Sequence, residues 1–348
     1  MPGLRAGLRH WSGRREGIAV SALVFDPARP WLAPLAGYTD LPFRMLCRGY
    51  GAAVCCTEMV SAKGLVYKSP GTRELLRTVP EDAPLVVQVF GNEVPFVVQA
   101  MEELQALGFR YFDLNMGCSV PKVTRSGCGA AMLKDVPHAL RLAKAMVATA
   151  GEGCVGFKLR LGWDAQNTVW QELAPALEDC GAAWLTLHPR FARQAFGGTA
   201  QWSALADLVG KVHIPVIASG DLFTAADGLR CIAETGVATV MYARGAMQDP
   251  AVFAAHTRGY SGIAADSAVV KNHCAQFHSR SDLRAMIARH AALARTHGCE
   301  RAALFKMRTF VPRYVHHLPG VRALRQGLSA CHDWESLNAL LDIFLEEQ

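Results

Sequence analysis

The chain has no run of about 18 apolar residues, the minimum for a helix that crosses a bilayer, so a membrane role is not expected. It has no CxxC pair, and its 11 cysteines are an odd number at scattered spacings, which argues against a disulfide framework and a structural zinc site. No block of like charge interrupts it, and charged residues make up 19% against 51% hydrophobic. That balance excludes a disordered chain and leaves a folded protein with a sizeable core. No GxGxxG follows the first apolar run, so the dinucleotide-binding version of an open α/β sheet lacks its main sign. The start, MPGLRAGLRHWSGRREGIAV, holds four arginines and one acid but no apolar stretch of signal-peptide length. Residues 1–28 are read as a loose basic extension, and a reducing cytoplasm is the expected location.

What the chain does have is eight continuous apolar runs: WLAPL (31–35), AAVCCTEM (52–59), LVVQVF (85–90), YFDLN (111–115), VGFKLR (155–160), AWLTLH (183–188), IPVIAS (214–219) and TVMYAR (239–244). Continuous rather than alternating runs are what strands buried on both faces look like. The segments between them, such as EVPFVVQAMEELQALG and PHALRLAKAMVATAG, space their apolar residues as helices do and end in glycine. Eight strand–helix units predict an α/β fold, a (β/α)8 TIM barrel over 29–257. A linker (258–280) and a small C-terminal helical domain (281–348) are expected to follow. An open doubly wound sheet is the alternative.

In such a barrel the C-terminal ends of the strands meet at one mouth. The runs end in Pro34, Glu58, Gln88, Asn115, Lys158 with Arg160, His188 with Arg190, Ser219 with Asp221, and Arg244. After Asn115 the chain hands over through Gly117 and Cys118 to a basic, glycine-rich loop, SVPKVTRSGCGAAML, which puts a thiol at the mouth. IASGDL (217–222) and YARGAM (242–247) place Gly220 and Gly245 between a strand and a helix, where backbone N–H groups and a positive helix end face a phosphate. Ser219, Asp221 and Ala243 flank these turns, and Arg244 adds a cation. Lys158 could hold electron density on a flavin ring near N1, and Gln88 and His188 could hydrogen-bond its edges. A mononucleotide flavin across the mouth is the cofactor these positions suggest.

Charge is uneven as well. Between Ser281 and Ala330 nine Lys/Arg stand against Asp282 and Glu300, a local excess of 9 − 2 = +7. Such an excess is expected of a surface that meets phosphates, or of a solvated helix face.

These residues fall in motifs that resemble the tRNA-dihydrouridine synthases: LAPLAGYTDLPFR (32–44), TEM (57–59), VQVFG (87–91), DLNMGC with PKVTRSGCGAAML (113–133), KLRLGW (158–163), LHPR (187–190), ASGDL (218–222) and ARGAM (243–247). The stretch FKMRTFVPRYVHHLPGVRALRQGL (305–328) is similar to the helical tRNA-binding domain of that family. The resemblance implies FMN-dependent reduction of specific tRNA uridines to 5,6-dihydrouridine, with NADPH as the transiently bound reductant; a monomer without metal is expected, though the sequence leaves the oligomeric state open. Cys118 would give a proton to C5 of uracil while reduced flavin delivers hydride to C6. Pro34, Leu35, Ala36, Gln88, Lys158, His188, Ser219, Gly220, Asp221, Ala243, Arg244 and Gly245 would hold FMN. Asn115, Arg160 and Arg190 would touch flavin or uracil, and Lys306, Arg308 and Arg313 would hold tRNA.

The chain departs from the family pattern at two places. Ser119 follows Cys118 where proline is usual, with proline only at Pro121, so the loop is expected to be less stiff. Ser219 stands where asparagine is usual and reaches less far. Cys128 is a second thiol in the same loop, read as filler. The rival reading is a barrel flavoenzyme of the dihydroorotate dehydrogenase type acting on a small molecule, which would need no basic helical tail. An inactive RNA-binding module would be expected to have damaged flavin positions, whereas Gln88, Lys158, His188 and Arg244 are all present.

Overall fold

The computed structural model describes residues 22–263 and 279–346; most of the N-terminal extension and the middle of the linker lie outside the described residues. Each of the eight apolar runs carries a strand: β1 (Trp31–Leu32), β2 (Val54–Cys56), β4 (Leu85–Phe90), β5 (Tyr111–Met116), β6 (Val155–Arg160), β7 (Trp184–His188), β8 (Val216–Ala218) and β9 (Thr239–Tyr242), with a short β3 (Val60–Ser61) after β2. All pairings between these strands are parallel, in the order β2-β1-β9-β8-β7-β6-β5-β4, and β2 pairs with β4 to close the barrel. β3 pairs with β4 alone, beyond the end of β2. The run AAVCCTEM is therefore broken at Thr57–Met59. At the break the Thr57 hydroxyl accepts the Gln88 N–H at 3.1 Å, taking a place that a carbonyl would hold in an unbroken ladder.

The inward rows change character along each strand. At the N-terminal end lie Trp31, Val54, Val86, Tyr111, Trp184, Ile217 and Met241, one apolar cluster filling the barrel. Two residues on, the same rows present Gln88, Asp113, Lys158, Thr186 and Ser219, so each row runs from a dry floor to a polar mouth. Phe25 caps the floor, its ring 5.2 Å from that of Trp31 and 6.1 Å from that of Trp184. Residues 22–28, grouped from the sequence with the loose extension, are thus built into the barrel: the Trp31 indole donates to the Val24 carbonyl at 2.7 Å, and Thr257 donates to the Ala28 carbonyl. Gly156 is needed here, because a Cβ would lie 2.0 Å from the Trp184 ring.

A second, larger apolar layer joins the strands' outer faces to the surrounding helices. The helix Leu41–Gly49 is capped by Asp40 and buries Arg44, which is fully shielded but paired with Asp82 at 2.7 Å and bonded to the Thr39 and Arg77 carbonyls. A buried charge survives only with such complete pairing. Four further helices, Arg280–Thr296, Glu300–Tyr314, Val321–Ala330 and Trp334–Leu345, form the C-terminal part. The first two dock on the helix Leu41–Gly49 through an aromatic cluster of Phe43, His290, Phe310 and Tyr314. The Glu300–Tyr314 helix also grips the mouth loop after β1: Lys306 Nζ reaches the Gly37 carbonyl at 2.9 Å and Asp40 at 3.0 Å, and Arg313 bonds and stacks on Tyr38. Among the described residues no helix is long and apolar enough to cross a membrane.

Candidate active site

Lateral register builds the site. Asn115 pairs with Lys158 and Lys158 with Thr186; one step nearer the mouth, Arg160 pairs with His188. Gln88 lies beside Asp113 across β4 and β5. Gln88, Asn115, Arg160, His188, Arg190 and Ser219 are all buried.

Cys118 follows β5 and is half-exposed. Its N–H donates to Asn115 Oδ1 at 2.9 Å and its carbonyl accepts from Ala130 at 2.9 Å, so both ends of its peptide are held. Gly129 makes the second contact possible, since its φ is +61° and a Cβ there would meet the Cys118 carbonyl at 2.6 Å. The expectation of a slack loop is offset by these bonds and by Pro121, which starts a short helix, Pro121–Thr124. Cys128 is buried, with its thiol 3.6 Å from the Ser126 carbonyl, and burial pushes it above the ordinary thiol range.

His188 is held neutral, first by burial and then by Lys158, Arg160, Arg190 and Arg244 around it. Arg190 Nη1 lies 3.3 Å from His188 Nε2, and a guanidinium can only donate, so the ring proton sits on Nδ1, available as a donor. Burial brings Lys158 down to about 8, with Asp113 acting to raise it, and its ammonium just reaches Ser219 Oγ at 3.5 Å. Thr186 Oγ1, beside Lys158 in register, is buried without a partner among the described residues.

Several residues expected to touch ligand are already engaged. Arg160 donates to the carbonyls of Gly117, Phe191 and Ala195 at 2.8, 3.0 and 2.9 Å, bracing the Cys118 loop against the loop after β7. Arg190 donates to the Gly197 and Gly198 carbonyls and to Asp221. Burial raises Asp221, but its bonds from Arg190 and the Ala200 N–H, with Arg244 beyond, outweigh that and hold it below the usual carboxylate range. Asp221 is thus a strut beneath Arg244, which lies 3.4 Å away. At the rim, Pro34 and Leu35 are half-buried and Ala36 is exposed. Ala243 leaves the short helix Arg244–Gln248 without a side-chain cap, so its first N–H groups point outward unpaired within the helix. Gly245 is fixed by packing: a Cβ would sit 2.6 Å from the Phe223 carbonyl. Gly220 has a φ of +107°, and a Cβ there would press on the His188 ring.

Lys306 and Arg313 are spent on the loop after β1. Of the nine tail cations, Arg284 and Arg295 are paired with Asp342 and Glu300, and Arg289 lies over the Tyr50 ring. Arg308 and Arg325 instead line an open groove with Thr309, Pro312, Arg313, Leu328 and Ser329, and Arg308 Nε and Arg313 Nε are buried without acceptors among the described residues.

Sequence reasoning missed Phe196. It is 60% exposed on the loop after β7, with Arg244 4.6 Å and Arg160 5.9 Å from its ring. An aromatic in an otherwise small, glycine-rich stretch, AFGG, was the available signal.

The family model described as dihydrouridine synthase (Dus) matches residues 31–348. A probable tRNA-dihydrouridine synthase of Rhodobacter capsulatus is 36% identical over 67% of this chain and 72% of its own length. Probable tRNA-dihydrouridine synthase 1 of Synechocystis is 32% identical over 89% of this chain and 84% of its own. tRNA-dihydrouridine synthase B of Pseudomonas aeruginosa is 34% identical over 65% and 68%. Matched by that model over residues 31–348 and by relatives more than 30% identical, this chain belongs to the dihydrouridine synthase family.

Proposed function

We propose that this protein reduces uridines of tRNA to 5,6-dihydrouridine, with FMN bound at the barrel mouth and NADPH as electron source. The observation that carries the reading is the convergence of Lys158, Arg160, Arg190 and Arg244 around a neutral His188, beside a half-exposed thiol. A mouth so rich in cations, whose near carboxylate Asp221 is already tied down, suits an anionic ligand. FMN fits it: the uncapped start of Arg244–Gln248 and Arg244 would meet the phosphate, and Lys158, His188 Nδ1–H and Thr186 supply polar edges for the ring.

When bound, the reduced flavin supplies hydride to C6 of uracil. Cys118 then supplies the proton to C5, and the surrounding cations stabilise the enolate charge that hydride addition leaves on the base. As an acid the thiol must carry its proton, unlike a nucleophilic cysteine. The groove lined by Arg308 and Arg325 would take backbone phosphates of the tRNA. A target base in folded tRNA has to leave its stack, which requires such a grip on the surrounding backbone. A small-molecule barrel enzyme has no use for it. The protein acts in the cytoplasm as a monomer.

The cofactor reading is tested by purification: the protein should be yellow and release FMN on denaturation, and recovery of FAD, or a colourless protein indifferent to added FMN, would overturn it. Arg244→Ala should weaken FMN retention only modestly, by about 1 kcal/mol or roughly fivefold, because Arg244 is over a third exposed and partly held by Asp221. Equilibrium dialysis against FMN measures the difference.

A further inference from the structure

Asp113 is a fully buried carboxylate beneath the mouth, and the scheme above gives it no part. Gln88 Nε2 donates to its Oδ2 at 2.6 Å. Gln88 Oε1 accepts from Asn115 Nδ2 at 2.7 Å. Asn115 Oδ1 accepts in turn from the N–H groups of Gly117 at 3.1 Å and Cys118 at 2.9 Å. The two amides in the middle could point either way, since each has one donating and one accepting end. Both ends of the chain are one-way: backbone N–H groups can only donate, and an ionised carboxylate can only accept.

We propose that Asp113 is a positioning residue that sets the direction of this hydrogen-bond chain, holding Gln88 and Asn115 in the single orientation that offers an acceptor to the Cys118 backbone. The relay spans β4 and β5 and ends on the loop that carries the thiol, so a carboxylate at the barrel centre is linked to the Cys118 backbone at its mouth. Burial is the larger influence and leaves Asp113 raised to about 7, while the Gln88 donation and Lys158 favour its ionised, accepting form. Lys158 gains from the same arrangement, because Asp113 is the largest influence acting to keep it protonated.

The direction argument makes a prediction that a purely structural role does not. Asp113→Asn leaves the backbone N–H groups as the one fixed end and, in the original direction, puts a new NH2 where a buried carboxylate oxygen stood. Asn115→Asp places acceptor-only groups on both sides of Gln88, so its Oε1 must face a carboxylate oxygen. The double variant Asp113→Asn/Asn115→Asp moves the acceptor end by two residues and reverses Gln88. The backbone N–H groups and one N–H of each amide are again matched, net charge is unchanged, the carboxylate moves from beside Gly156 to beside Lys158 in register, and the contact from Asn115 to Met59 Sδ is lost.

The readouts are thermal midpoint and the alkylation rate of Cys118, resolved by peptide mass spectrometry on the intact purified protein. Each single variant should lower Tm by about 5 °C and change Cys118 alkylation roughly tenfold, whereas the double variant should return to within about twofold of the parent rate. Additive losses in the double variant, a double variant that fails to fold, or an Asp113→Asn protein indistinguishable from the parent would each overturn the proposal. The consequence for catalysis rests on Cys118 being the proton donor, but neither readout involves tRNA, so failure here is separable from failure of the proposed function.

Discussion

Cys118→Ala keeps its flavin and is still reduced by NADPH, yet reduces tRNA at least about 100-fold more slowly than the parent protein, the lower range for losing a positioned general acid. Reduction of the cofactor needs no proton from the loop after β5, whereas quenching C5 of uracil does, so the two half-reactions part in one variant. The thiol is half-exposed and its main chain is held at both ends, so alanine removes the acid without loosening the loop. Cys128→Ala is the control. That thiol is buried with its hydrogen near the Ser126 carbonyl, and its loss should cost turnover little. Stopped-flow measurement of flavin reduction, followed by reoxidation with unmodified tRNA, separates the steps. Near-parental reoxidation by Cys118→Ala together with an inactive Cys128→Ala would move the acid ten residues along the loop.

Arg308→Glu/Arg325→Glu binds tRNA on the order of 100-fold more weakly than the parent and shows a shallower salt dependence, by about two phosphate contacts, while flavin content and NADPH oxidation stay intact. These two arginines line the groove and neither has an ion-pair partner among the described residues. Lys306 and Arg313, which the sequence also offers, make a poor test. Both hold the loop Gly37–Asp40 at the barrel mouth, so reversing them disturbs the active site along with any phosphate contact. Filter binding across a salt series reads the effect; salt-independent binding, or a double variant as tight as the parent, would remove the groove from the tRNA interface.

The barrel was legible because strands buried on both faces must be continuously apolar, and all eight such runs carry strands. The polar ends of those runs were legible for the same reason: Gln88, Lys158 and His188 interrupt apolar rows where only a mouth can solvate or pair them. What each end does was less legible, because a residue type does not reveal its partner. Arg160 and Arg190 look like ligand contacts in sequence, but Arg160 donates to carbonyls of the loops after β5 and β7 and Arg190 to Asp221 after β8, partners that become neighbours only when the barrel forms. The break at Thr57–Met59 was hidden because it depends on a hydroxyl meeting the N–H of Gln88, a residue 31 positions away. The +7 tail excess overstated the free charge, since several of its cations face acids or tyrosines that only the folded helices bring near.

The most direct test of the central claim is a map of dihydrouridine in tRNA from cells of the source organism lacking this protein, compared with the same cells complemented by the parent and by Cys118→Ala. Loss of dihydrouridine at one position or a small set of positions, restored by the parent and not by Cys118→Ala, is the predicted result. An unchanged map in the deletion, or full restoration by Cys118→Ala, would contradict it.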